Sequence, residues 1–242
     1  MNIHISKDEK SLGEAAAVKI AELLNDAIKE RGEANYLVST GASQYSTFEA
    51  LLKEQVDWSK VTMFHLDEYI GLPVTHPASF RKYLTERFTG KVNLKRVVFV
   101  NGLGNIEKNI EEVNRDIKTH PIDVGVVGIG ENAHIAFNDP PADFESEDPF
   151  HIVTLNDTCK MQQVGEGWFK DIEDVPKQAI SITPKQIMRC KHIVSPVPGA
   201  RKASAISATL SAKEADNMIP ATLMKNHESF YLFLDEESAS KC

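Results

Sequence analysis

The chain has 242 residues, of which 42% are hydrophobic and 26% charged, and it carries a net charge of −8 at pH 7. That length can bury a sizeable core, the composition excludes fibrous and low-complexity classes, and the negative charge disfavours nucleic-acid or anionic-membrane partners. Cys159, Cys190 and Cys242 form neither a disulfide framework nor a C-x-x-C pair, and no apolar stretch reaches bilayer length, so a reducing cytoplasm is expected.

Two signals alternate along the chain. Ser6-Lys7-Asp8-Glu9 reads as a capping box, leading into Leu12, Ala16, Ile20, Leu23 and Leu24 at helical spacing. Short β-branched runs then follow at Tyr36–Val38, Val61–Phe64, Val97–Val100, Ile122–Val127, Ile193–Val194 and Phe230–Leu234. Such runs suit strands buried on both faces of a parallel sheet. Thr183-Pro184 places a cap residue and a first-turn proline before Ile187-Met188. The alternation predicts a Rossmann-like three-layer α/β fold, with a mainly parallel sheet flanked by helices. No repeat or Pro/Gly/Ser-rich linker interrupts it, so residues 1–242 are read as one domain.

In such sheets ligands sit where loops converge at the carboxyl ends of strands. Four loops in those places carry chemistry-bearing residues. The first is Ser39-Thr40-Gly41-Ala42-Ser43-Gln44, before a helix starting near Tyr45. Small residues and hydroxyls at a helix start offer backbone N–H groups to an anion such as phosphate. Without a Walker lysine or a G-x-G-x-x-G motif, no nucleotide is implied. The second, His65 to Pro73, contains adjacent Asp67 and Glu68. A carboxylate desolvated at a strand end gains proton affinity and suits removal of a carbon-bound proton, although solvated acids on a surface turn would read the same.

The third loop runs from Gly128 and Gly130, which permit close backbone approach, to His134, flanked by Asn132 and Asp139. Either neighbour could orient the imidazole, and no second His or Cys stands at metal-ligand spacing. The fourth, Val197 to Ala203, offers Arg201 and Lys202 as phosphate partners, though one of two adjacent charges usually faces water.

Leu66-Asp67-Glu68-Tyr69-Ile70-Gly71-Leu72-Pro73, His76-Pro77-Ala78-Ser79-Phe80 and Gly128 to Pro140 together resemble the glucosamine-6-phosphate deaminase/isomerase family. Thr40-Gly41-Ala42-Ser43 resembles its phosphate loop, and Lys202 stands where the family's phosphate-binding lysine would lie. The likeness runs from about Leu37 to near the C-terminus. It implies that His134 assists opening of the sugar ring, that Asp67 moves a proton from C2 to C1, and that Glu68 fixes the loop. It implies no metal and no cofactor; the partner would be a small amino-sugar phosphate, and a homo-oligomer is compatible with the family.

This chain departs from the family pattern at several positions. Asn132 stands for the usual Asp, Asp139 for Glu, Ala133 for Gly and Gln44 for Pro, and an arginine expected near Gln162 to Gly165 is missing, with Lys160 as candidate substitute. The acidic stretch Ala142 to Asp148 implies no activation by N-acetylglucosamine 6-phosphate. Three alternatives remain: a 6-phosphogluconolactonase-type hydrolase, a galactosamine 6-phosphate isomerase, and a sugar-phosphate sensor without chemistry.

Overall fold

The computed structural model describes residues 1–242. In chain order the elements are β1 (Asn2–Ser6), α1 (Glu9–Arg31), β2 (Ala34–Val38), α2 (Tyr45–Leu51), β3 (Val61–His65), β4 (Asp67–Tyr69), α3 (Phe80–Leu84), β5 (Arg96–Val98), α4 (Ile106–Thr119) and β6 (Val124–Val126). There follow β7 (Phe150–Thr154), α5 (Asp157–Gly165), β8 (Gln178–Ile182), α6 (Pro184–Ile187), β9 (His192–Val197), α7 (Ala203–Ser211) and β10 (Phe230–Asp235). No helix is long and apolar enough to cross a membrane.

Seven strands form one parallel sheet in the order β1-β10-β9-β6-β2-β3-β5. Side chains alternate between its two faces. From β2, Tyr36 and Val38 join Leu12, Ile20 and Phe48 of α1 and α2, whereas Leu37 joins Val113 and Ile117 of α4 and Ile206 of α7. Met63 and Phe64 of β3 divide the same way. Strands clothed by helices on both sides are apolar at every position, which is why their runs are continuous rather than alternating. The outcome is a three-layer α/β fold.

Two features differ from expectation. The N-cap of α1 is Asp8, whose carboxylate accepts from the Ser11 N–H at 2.8 Å. Ser6 instead closes β1, paired with Asp235 of β10. The second difference is an antiparallel sheet, β4-β8-β7, in which Asp67 pairs with Ser181 and Phe150 with Ile182. Its apolar underside holds Tyr69, Phe137, Phe169 and Ala179.

The strand order decides where a site can form. Strands β9, β6, β2 and β3 are consecutive neighbours and parallel, so all four carboxyl ends open at one edge. From β2 the chain passes to β3 on one side, and β6 flanks β2 on the other, which makes a crevice at the β2/β6 switch point. The four loops singled out above all leave these strands.

Thr183 joins the small sheet to α6 as expected. Its hydroxyl accepts from the Gln186 N–H at 3.2 Å and donates to the Asp148 carbonyl at 2.8 Å, fully buried. Thr183→Ala is expected to destabilise by about 1–2 kcal/mol, measured as a lower urea midpoint at unchanged slope.

Candidate functional site

The four loops enclose a cavity of about 590 Å³. Two of them share a construction. After β2, Gly41 at φ 104° turns the chain into a short 3₁₀ segment, Ala42–Gln44, and then α2. After β9, Gly199 at φ 92° leads through Ala200–Lys202 into α7. A side chain at either glycine would be strained, since positive φ disfavours a Cβ. The first loop is pinned by Tyr83, whose hydroxyl donates to the Gly41 carbonyl at 2.8 Å. Gln44, where the family has proline, is buried and donates to Ser43 Oγ at 3.2 Å and to the Pro196 carbonyl at 3.3 Å, fastening this loop to β9. The second loop is pinned by Asp235, which accepts twice from the Gly199 N–H at 2.9 and 3.1 Å.

The paired cations divide between water and cavity. Arg201 is largely exposed and reaches Glu131 at 3.7 Å on the rim. Lys202 is mostly buried in the cavity wall and forms no ion pair; desolvation lowers its proton affinity, with Glu166 and Glu131 acting in the opposite direction. A buried ammonium without a counter-ion is a strong attractor for an anion. Lys160 does not share this role. It lies outside the cavity wall, on the part of α5 where its ammonium reaches Asp157 at 3.7 Å.

Asp67 stands just beyond β3 with only 6% of its surface exposed, and that surface faces the cavity. Burial, reinforced by the neighbouring Glu68 charge, pushes its carboxyl up to about 8. No protein donor satisfies its side chain. Glu68 is its opposite: fully buried, yet accepting from Ser79 Oγ (2.9 Å), the N–H groups of Tyr69 (3.0 Å), Phe80 (3.2 Å) and Arg81 (2.9 Å), and Arg81 Nε (3.3 Å). This carboxylate caps the start of α3, where helix N–H groups lack partners, and so locks the strand carrying Asp67 to that helix. His65, two residues before Asp67, is completely buried; desolvation, with help from Arg81, pushes it down to about 3 and keeps it neutral.

His134, on the loop after β6, lines the same cavity as Asp67. Its Nδ1 lies 2.6 Å from Asn132 Oδ1 and 3.4 Å from Asp139 Oδ1, while Asn132 Nδ2 donates to Asp139 Oδ1 at 2.9 Å. Since the amide nitrogen of Asn132 is committed to Asp139, its oxygen must accept from Nδ1–H, which leaves Nε2 as the basic nitrogen. Asp139 restores at second remove the charge that Asn132 lacks. Burial raises the Asp139 carboxyl, but the bonds and charge of His134 and the Asn132 amide outweigh it and hold the group below its usual range. Gly130 is a steric necessity: a Cβ there would lie 2.1 Å from His134 Cε1, inside the ring. At Gly128 a Cβ would make only ordinary contact with Gln44. Ala133, the family's glycine, adopts φ 65°.

The loops that carry Asp67 and His134 both hang from one strand. Asp67 pairs with Ser181 of β8, and the Ser181 hydroxyl accepts from the Phe137 N–H at 3.1 Å. Asn138, buried beside it, donates to the carbonyls of Ile135 and Ile182, both at 2.8 Å. Another wall is built from the segment where the family pattern has an arginine: α5 and the turn after it present Gln162, Gln163, Glu166 and Trp168 to the cavity. The acidic segment Ala142 to Asp148 lies elsewhere, at a separate hollow with Asp216, and its Glu147 is engaged by Lys185 (2.6 Å) and Arg189 (2.7 Å).

Removing the Glu68 carboxylate would orphan the α3 N–H groups and a partly buried guanidinium. Glu68→Ala is expected to destabilise by about 3 kcal/mol, measured by equilibrium denaturation, whereas Glu68→Gln recovers part of the loss.

Comparison with known proteins gives this geometry its context. Residues 7–232 match the family model described as glucosamine-6-phosphate isomerases/6-phosphogluconolactonase. A glucosamine-6-phosphate deaminase of Streptococcus suis is 33% identical over 242 residues, covering 100% of this chain and 99% of that protein. One from Bacillus cytotoxicus is 30% identical over 243 residues, covering 100% of this chain and 89% of its own. Among solved structures, a monomeric glucosamine-6-phosphate deaminase superposes with a TM-score of 0.91 at 27% identity over 100% of both chains. The 6-phosphogluconolactonase of Thermotoga maritima shares the fold, with a TM-score of 0.80 at 16% identity over 97% of this chain and 99% of its own. The chain thus belongs to the family of glucosamine-6-phosphate isomerases and 6-phosphogluconolactonases.

Proposed function

We propose that this enzyme is a glucosamine-6-phosphate deaminase, converting glucosamine 6-phosphate and water to fructose 6-phosphate and ammonia. The observation that carries the reading is Asp67: a buried carboxylate with proton affinity raised to about 8, open to a cavity that also holds a free lysine. The reaction must remove a proton from C2, a weak carbon acid, and a desolvated carboxylate suits that task. Hydrolysis of a lactone has no such proton and would leave Asp67 idle.

In the proposed course the phosphate is held by Lys202 and the backbone of Thr40, Gly41, Ala42 and Ser43. His134 Nε2 takes the anomeric hydroxyl proton and returns a proton to the ring oxygen, opening the ring to the aldehyde. The Nδ1–H bond to Asn132, backed by Asp139, stabilises the imidazolium formed on the way. Asp67 then removes the C2 proton; the electrons pass through C1 to the carbonyl oxygen, which takes a proton given up by the substrate's ammonium, and an enolamine results. Protonation at C1 yields the imine at C2, and addition of water with loss of ammonia completes the balance. The substrate's ammonium, brought beside Asp67, lowers the carboxyl's proton affinity and favours the ionised base. The same zwitterion suits the cavity, where Glu131 and Glu166 stand alongside Lys202.

Asp67→Asn is expected to lower kcat by about 10³-fold, measured by coupled release of ammonia. In the wild type, kcat/KM should climb with pH to a limb near 8, where Asp67 ionises in the free enzyme. Stability should run the other way. The folded-state value lies above the unfolded one, so stability is greatest at low pH and falls as pH rises from about 4 through about 8. The inactive Asp67→Asn protein should therefore melt higher than wild type at pH 8, by about 3 °C or more. Lower or equal melting would show that Asp67 is not held against its desolvation.

A further inference from the structure

The wall formed by α5 contains a polar group that the proposed course leaves unused. Cys159, Gln162, Gln163 and Glu166 recur at intervals of three and four, so one face of this helix and its first following turn looks inward. Cys159 is covered, but Gln163 lines the cavity with only 7% of its surface exposed. Its Oε1 accepts from the Tyr69 hydroxyl at 2.8 Å. Tyr69 is itself immobile: completely buried, two residues beyond Asp67, with its ring packed on Phe80, Phe137 and Phe169 at centroid distances of 5.1, 5.2 and 5.6 Å. The other end of the amide, Nε2, has no partner in the protein. A side chain so deeply buried, clamped at one end and free at the other, is a fixed donor aimed at a ligand.

Charge says which part of the ligand Gln163 meets. Glu166, at the exposed end of this face, is held by Gln162 Nε2 at 2.8 Å and Trp168 Nε1 at 3.1 Å and bears on Lys202. Gln163 is itself neutral, so the charge of the phosphate is met by Lys202 and not by this amide. What remains for Gln163 is the hydroxyl-bearing carbon chain between the reacting carbons and the phosphate.

Resting on the deaminase reading, the geometry points to Gln163 as a specificity-determining residue that donates through Nε2 to a sugar hydroxyl at C3 or C4. A neutral amide there binds substrate and product alike, because both carry those hydroxyls. Its contribution therefore falls on KM and on product affinity, not on kcat.

The test uses the whole chain with Gln163→Met and Gln163→Glu. The glutamate keeps an acceptor for the Tyr69 hydroxyl while turning the inward donor into an acceptor, so it preserves the fold where methionine risks it. Kinetics with glucosamine 6-phosphate are measured beside calorimetric Kd values for fructose 6-phosphate and for inorganic phosphate. Expected are rises of about tenfold in KM and in the fructose 6-phosphate Kd, with kcat changed less than about threefold; phosphate binding is unaltered in Gln163→Met, and in Gln163→Glu the phosphate Kd measures how much of the loss is due to the added charge. A fructose 6-phosphate Kd within about twofold of wild type in both folded variants, even with a lowered melting temperature, would overturn the assignment. If wild type binds fructose 6-phosphate without releasing ammonia, the deaminase reading falls, and the Kd ratios still decide the role of Gln163. Failure of wild type to bind fructose 6-phosphate at all would overturn both.

Discussion

A carboxylate buried without a cation or a hydrogen-bond donor destabilises the protein that holds it, and Asp67 is in that position. Everything around it resists relaxation. Upstream, β3 lies one strand in from the edge of the main sheet, paired on both sides by β2 and β5. Downstream, Glu68 draws in five backbone and side-chain donors and welds the strand to α3. Two adjacent acids are thus used in opposite ways. Glu68 is fully satisfied and supplies rigidity; Asp67 is unsatisfied and open to the cavity, which is what the proposed chemistry needs. Strain of this kind persists only where the surroundings over-determine the position.

The same logic extends across the cavity. His134 is held at Nδ1 by an amide whose orientation is dictated by Asp139, and Gly130 vacates the space its ring occupies. Replacement of an acid by Asn132 does not remove negative charge from the histidine; Asp139 remains within 3.4 Å. Because the Asp67 and His134 loops are both tied to Ser181, their separation is set by one rigid strand. Binding energy and proton transfer can then act on a substrate held in one orientation.

Most of the main sheet was legible in the sequence. Strands covered on both faces carry continuous apolar runs, and the six runs correspond to β2, β3, β5, β6, β9 and β10, of which only β5 lies at a sheet edge and is partly exposed. β1 escaped because it lies at the sheet edge with its first four residues exposed. β4 escaped because Asp-Glu-Tyr has no strand character of its own; its pairing comes from β8, more than a hundred residues later. The candidate residues of the four loops were visible as unusual types at strand ends. Their division of labour was not: Lys202 inward and Arg201 outward, Asp67 open and Glu68 enclosed, are matters of packing. Lys160 shows the limit of reading by proximity, since two positions along a helix turn a side chain away from the cavity. Gln163 fell in a segment marked only for its missing arginine, because a glutamine on a short polar helix looks solvated until Tyr69, 94 residues away, is found holding it.

The central claim is that Asp67 carries a proton off C2 of a 2-amino-sugar phosphate. It is tested most directly by following glucosamine 6-phosphate with the enzyme in D₂O by proton NMR. The account predicts that the C2 proton signal declines in step with the appearance of ammonium and fructose 6-phosphate, and that Asp67→Asn abolishes both changes. A C2 signal that persists unexchanged, with no product formed by the wild-type enzyme, would contradict it.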